Sequence, residues 1–247
     1  MSTKIGLNLT RLYSINFSLP KRKKNLIKFI IIHYTGMKNE SKAIKRLCDE
    51  NSKVSSHYFI KDNGEIINLV PDLYEAWHAG KSSWKKLKFL NKYSIGIEIS
   101  NPGHQYNYRK FNSKQISSVI KLLVFLKKKH KIISKNIIGH SDIAPNRKKD
   151  PGEKFPWKKL AKRKLGLWHN LSEIRIKKYR KIKLNKIEEK MFLKNLVKIG
   201  YSKLKRTNLK LEKFNLVKAF QRRFRQELVN GVIDKECLFI SKNLSKY

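Results

Sequence analysis

Acidic residues, cysteines and long apolar runs are all scarce in this sequence of 247 residues, and each shortage excludes a class of protein. Two cysteines, Cys48 and Cys237, are too few and too far apart for a disulfide framework or a cysteine-based metal site, so both are expected to pack as small apolar residues. No transmembrane segment is expected, because the apolar stretch from Leu26 to Ile32 is short and broken by Lys28. Residues 1–20 hold no apolar run followed by a small-residue cleavage site and do not read as a signal peptide. Only 18 Asp and Glu stand against 58 Lys and Arg, a formal net charge of +40. Such a field attracts polyanions. The lysines are nevertheless spread along the chain without a nucleic-acid-binding motif, so solvated basic faces are expected and no specific nucleic-acid partner.

What is present suffices for a core. Hydrophobic residues make up 40% and aromatics 11%, and the length suits one good-sized domain with a smaller module. The Ile-rich stretch Leu26 to Ile32 reads as a buried strand that delivers His33 at its tip. Ala43, Ile44, Leu47 and Cys48 at helical spacing predict a helix over 41–50. Segments 57–61 and 65–70 flank Asp62, Asn63 and Gly64, a hairpin turn in which Asn and Gly tolerate positive φ. In 94–100, Ile95, Ile97 and Ile99 alternate on one strand face and Glu98 falls on the other. Ser113 to His130 is the clearest helix, with Ile116, Val119, Ile120, Leu123 and Leu126 along one side, and Ile137 and Ile138 then lead into Gly139 and His140. The interleaving predicts an α/β unit over 1–170, a mixed central β-sheet flanked by helices. A basic linker is expected at 171–184. Helical patterns at 187–199, 211–228 and 235–244, closed by Gly200 and capped by Asp234, predict a three-helix unit over 185–247.

Seven histidines occur, at 33, 57, 78, 104, 130, 140 and 169, and a lone histidine is more often a satisfied core or surface residue than a ligand. Context selects His33 and His140, each at the end of a short apolar strand. The loop 143–157, with Pro145, Pro151, Gly152 and Pro156, is rigid enough to hold Asp150 in place. Two imidazoles, one carboxylate and a position left open for water are the donor set of a catalytic zinc site, where the metal brings the pKa of water to about 7. Spacing alone leaves ordinary structural roles open for all three.

Five segments carry more than spacing. His33-Tyr34-Thr35-Gly36, residues 55–60 (SSHYFI), Trp77-His78-Ala79-Gly80, residues 94–99 (SIGIEI) and residues 139–151 (GHSDIAPNRKKDP) resemble, in this order, the type 2 N-acetylmuramoyl-L-alanine amidases, over roughly residues 25–165. The resemblance implies that His33, His140 and Asp150 hold Zn2+, where some relatives use Cys as the third ligand. It further implies that Glu98 is the acidic catalytic residue and Lys148 the catalytic lysine. A carboxylate there can take a proton from water and pass it to the departing amine, and an ammonium can stabilise the developing oxyanion. Without the motif, Glu98 reads equally as a solvated strand residue, and Lys148, between Arg147 and Lys149, as one more surface lysine. His57 and His78 are expected to shape the groove rather than bind metal, and Trp77, Trp84 and Trp157 either to stack on sugars or to pack in the core.

Residues 199–201, 217–224 and 230–234 resemble the three-helix peptidoglycan-binding domain often fused to such amidases; the alternative is an appendage that stabilises the catalytic unit. The expected function is hydrolysis of the bond between N-acetylmuramic acid and L-alanine in peptidoglycan or muropeptides, by a monomer. A non-catalytic peptidoglycan recognition module is the alternative, which loss of the third ligand would favour, whereas Asp150 is present. With no export signal the expected location is cytoplasmic, and a wall-binding domain would suit the periplasm instead.

Overall fold

The computed structural model describes residues 9–204 and 208–247; residues 1–8, part of the N-terminus considered above for a signal peptide, lie outside the described residues. Strands β1 (Leu9–Arg11), β2 (Phe17–Ser18) and β3 (Phe29–Tyr34) precede helix α1 (Glu40–Cys48), and β4 (Tyr58–Ile60) and β5 (Ile66–Asn68) follow it. Next come β6 (Glu75–Ala76), β7 (Ser83–Trp84), β8 (Leu87–Lys88) and β9 (Ser94–Ile99), then α2 (Ser113–His130), β10 (Ile137–Gly139), α3 (His140–Ile143) and α4 (Trp157–Ala161). The chain ends with α5 (Glu173–Lys177), α6 (Lys186–Ile199), α7 (Leu209–Phe224) and α8 (Lys235–Leu244). No helix of the described residues is long and apolar enough to cross a membrane.

Six strands form one sheet in the order β1-β5-β4-β9-β3-β10, parallel throughout except for the antiparallel β4–β5 hairpin. It is the mixed sheet the sequence predicts. Strand β3 lies between β9 and β10 with both faces covered, which is why it reads as an unbroken apolar run rather than an alternating one. Side chains alternate across it: Ile30 and Ile32 join the cluster under α2, while Phe29 and Ile31 join the cluster on the other face. Ile95, Ile97 and Ile99 of β9 point to the α2 side, where Ile116, Val119, Leu122, Leu123 and Leu126 meet them. Each such side chain, fully buried, contributes about 1.5–3 kcal/mol. Helix α2 starts in a capping box between Asn112 and Gln115, which satisfies two otherwise orphaned backbone donors.

The second face is where the C-terminal helices come in. Phe192 and Leu196 of α6, Val217, Phe220 and Phe224 of α7 and Leu244 of α8 share one apolar cluster with Phe29, Ile31 and Ile138 of the sheet. Helix α6 stops at Gly200, which takes φ +139° and approaches Trp84 so closely that a Cβ would come within 2.4 Å of its ring. Asp234 caps α8 by accepting from Cys237 N. Helix α7 stops at Phe224, short of the predicted 228. The basic stretch before α6 contains the short helix α5, with Ile176 buried, and bridges Asp234 through Lys183.

Candidate functional site

Both selected histidines emerge at carboxyl ends of neighbouring parallel strands. In the β3–β10 register Ile32 pairs with Gly139, so the next residues, His33 and His140, stand side by side although they are 107 positions apart in sequence. The loop beyond α3 folds back, and Ser141 N donates to Asp150 O at 2.8 Å, which brings the Asp150 carboxylate under both rings. His33 Nδ1 lies 2.9 Å from His140 Nδ1, and Asp150 Oδ2 is 3.0 Å from each nitrogen. All three residues are buried, and among the described residues they form the one group of His, Cys, Asp or Glu side chains arranged to hold a metal ion, with donor atoms within 4.8 Å of one another.

The hydrogen-bond network says which protons these atoms carry. His140 Nε2 is 3.1 Å from Ala79 O; a carbonyl only accepts, so Nε2 bears the hydrogen and Nδ1 a lone pair. Ser94 Oγ donates to Leu90 O and therefore accepts from His78 Nε2 at 3.2 Å. His78 Nδ1 is thus bare and accepts from His33 Nε2 at 3.0 Å, which leaves His33 Nδ1 bare as well. Two nitrogen lone pairs and a carboxylate oxygen then face one another with no hydrogen to share, an arrangement that repels itself unless a cation sits among them. The donor set fits zinc. Burial, reinforced by His140, lowers the His33 pKa to about 4, so the ring is neutral at pH 7, as a ligand must be. Gly96 makes room for this support, because a Cβ there would come within 2.4 Å of the His78 ring.

Glu98 pairs with His33 across β3 and β9 and lies on the same sheet face. Its Oε2 is enclosed and has no hydrogen-bond partner. Burial raises the carboxyl to about 8, with Asp150 adding to the rise and Lys148 opposing it. These groups open into a groove of about 820 Å³ that Lys148, Tyr34, Trp77, His78 and His104 also line. Its rim is basic, with Lys38, Lys42, Arg46, Arg147 and Lys149.

One expectation changes, and open ones are decided. His57 does not line the groove: it is fully buried, contacts Arg22 Nη2 at 2.9 Å and accepts from Gly96 N at 3.0 Å. Trp84 and Trp157 pack in the core at 2% and 1% exposure, so of the three tryptophans Trp77 alone faces the groove. Cys237 is buried and Cys48 half-buried, both free. Sequence reasoning passed over His104, whose Nδ1 is 2.9 Å from Tyr34 Oη and whose Nε2 is 3.1 Å from Glu153. The turn Asn101-Pro102-Gly103 just beyond β9 was the available signal, since loops at carboxyl strand ends in α/β sheets are where ligands bind.

The family model described as N-acetylmuramoyl-L-alanine amidase matches residues 22–153. The chain is 34% identical over 230 residues to N-acetylmuramoyl-L-alanine amidase AmiD of Escherichia coli, covering 88% of this chain and 82% of that protein. It is 39% identical over 105 residues to 1,6-anhydro-N-acetylmuramyl-L-alanine amidase AmpD of the same organism, covering 42% of this chain and 55% of that one. Among solved structures, the complex of Escherichia coli AmiD with anhydro-N-acetylmuramic acid-L-Ala-D-gamma-Glu-L-Lys superposes with a TM-score of 0.79 at 33% identity, covering 93% of this chain and 91% of that one.

Proposed function

Since the chain belongs to the N-acetylmuramoyl-L-alanine amidase family, we propose that its His33, His140 and Asp150 are the ligands of one zinc ion and that Glu98 and Lys148 are its catalytic residues. The enzyme hydrolyses the amide between N-acetylmuramic acid and L-alanine in peptidoglycan or its soluble fragments. The observation that carries the ligand assignment is the convergence of three proton-free donor atoms from β3, α3 and the loop after it.

When bound, zinc supplies Lewis-acid polarisation of the carbonyl and a lowered pKa for water. The chain's own groups do the rest. The Glu98 carboxyl, held near His33 with Oε2 unpaired, takes the proton of the attacking water and passes it to the departing alanine nitrogen. A cation among the three donors draws its raised pKa back down, so the carboxylate is available as a base. Lys148, on the groove wall, stabilises the oxyanion that develops on the lactyl carbonyl. The basic rim suits stem peptides, whose free carboxylates would pair with Lys42, Arg46 and Arg147. Residues 185–247 would keep the enzyme near polymeric substrate.

Purified protein is incubated with intact sacculi and with soluble anhydromuropeptides, and products are read by mass spectrometry. Release of free stem peptide, abolished by chelator and restored by zinc, is the expected result. Asp150→Ala should lose both bound metal and turnover while its circular dichroism matches wild type; retained turnover would overturn the ligand set.

A further inference from the structure

Directly after β10 comes a turn whose anchors belong to the C-terminal helical unit. Asp142, two residues after His140, accepts from Gly139 N at 2.8 Å and so closes the turn that starts α3. Its Oδ1 accepts from Tyr201 Oη at 2.6 Å, and its Oδ2 from Arg223 Nη1 at 2.5 Å. The other end of the Arg223 fork donates to Ile137 O at 2.9 Å, at the start of β10, and the guanidinium lies 4.5 Å over the Trp157 ring. Arg223 therefore clamps both ends of the segment 137–142, with His140 inside it. Asp150 hangs from the same segment through Ser141 N.

This cluster is sealed, with Asp142 and Arg223 each 2% exposed and Tyr201 1%. Burying an ion pair is a poor route to stability, since well-packed apolar residues in its place are often as stabilising or more so. What such a pair does deliver is a fixed geometry, because leaving either partner unmatched is strongly unfavourable. Tyr201 follows the glycine that ends α6, and Arg223 lies in the last turn of α7, so the C-terminal ends of two helices are aimed at one carboxylate.

We infer that Arg223 and Tyr201 are positioning residues for the metal ligands His140 and Asp150, acting through Asp142, so that the C-terminal helices are part of the catalytic centre's framework as well as a candidate wall anchor. The inference rests on the ligand set proposed above. Outer groups that orient metal ligands typically alter metal affinity by about 10–100-fold when replaced. Because Asp142 acts on the backbone of the His140 turn rather than on the imidazole, the low end of that range is expected.

The full-length chain is loaded with cobalt(II) as wild type, Tyr201→Phe, Arg223→Lys and Ile240→Ala, each at a temperature where circular dichroism shows it folded. Ile240 is buried in the same apolar cluster, on α8, and serves as a control for loss of stability alone. Tyr201→Phe and Arg223→Lys should weaken cobalt binding about 10-fold in chelator competition and shift the visible d–d bands, with Ile240→Ala lowering Tm but keeping wild-type affinity and bands. Should Arg223→Lys fail to fold, Tyr201→Phe decides alone, since it removes a single hydroxyl. Wild-type affinity and bands in Tyr201→Phe, or an equal loss in Ile240→Ala, would overturn the positioning role. A wild-type chain that binds no cobalt would instead overturn the ligand set, and this inference with it.

Discussion

Replacing Glu98 with Gln should abolish turnover and, in the metal-free protein, raise stability at alkaline pH. The carboxyl is held up to about 8 against an ordinary 4.5, chiefly by burial and secondarily by Asp150. A group whose folded pKa exceeds its unfolded value binds more protons when folded, so wild-type stability falls as pH climbs from about 4.5 through about 8. Glutamine keeps the shape and does not titrate. At 1.36 kcal/mol per pKa unit the rise sets a ceiling of about 5 kcal/mol. The side chain is only half-buried although its Oε2 is enclosed, which brings the expected gain above pH 8 to about 2–3 kcal/mol. Urea unfolding of chelated wild type and Glu98→Gln from pH 4 to 9 reads the difference directly. Equal stabilities near pH 4 should diverge with rising pH in favour of the variant. Parallel curves, or a divergence favouring wild type, would refute the reasoning and return Glu98 to the role of an ordinary solvated strand residue.

Lys148→Ala should lower kcat by about 100- to 1000-fold, the range for losing one oxyanion donor, with zinc affinity in chelator competition within a few-fold of wild type. Gly96→Ala drives a methyl into the His78 ring and should destabilise the fold by about 1–3 kcal/mol in thermal melts. The same variant should weaken metal binding, because His78 can no longer accept from His33 Nε2; unchanged affinity would detach His78 from the ligand network.

Local patterns carried the main elements because the residues that set them are neighbours in sequence. The period of α2 and the Asn-Gly hairpin at 62–64 are both short-range signals, and the structure places helix and hairpin there. Strands β2, β6, β7 and β8 are two residues each, too short for any period to register. The site divides the same way. His33 and His140 could be selected because each sits at the end of a recognisable strand, and Asp150 because its proline-rich loop is rigid, whereas Glu98 and Lys148 needed the family motif to single them out. The bonds from His33 to His78, from His78 to Ser94 and from Asp142 to Tyr201 and Arg223 join residues 16 to 81 positions apart. Nothing in composition or period announces such contacts. Arg223 in particular reads as one more basic residue in a chain of net charge +40, and only packing distinguishes it from the solvated majority.

The second face of the sheet explains why the C-terminal unit and the chemistry cannot be separated cleanly. Along β3 that face runs Phe29, Ile31, His33, and along β10 Ile138, then His140: apolar first, then imidazole. The apolar part must be covered, and α6, α7 and α8 cover it. The polar end must stay open to substrate, so the cover has to stop within one turn of helix of the histidines. In the last turn of α7, Arg222 and Arg223 interrupt the cover between Phe220 and Phe224 of the cluster. An apolar residue in place of Arg223 would leave the Asp142 carboxylate buried without its cationic partner at that boundary, which is costly. The arginine thus marks where packing hands over to catalysis.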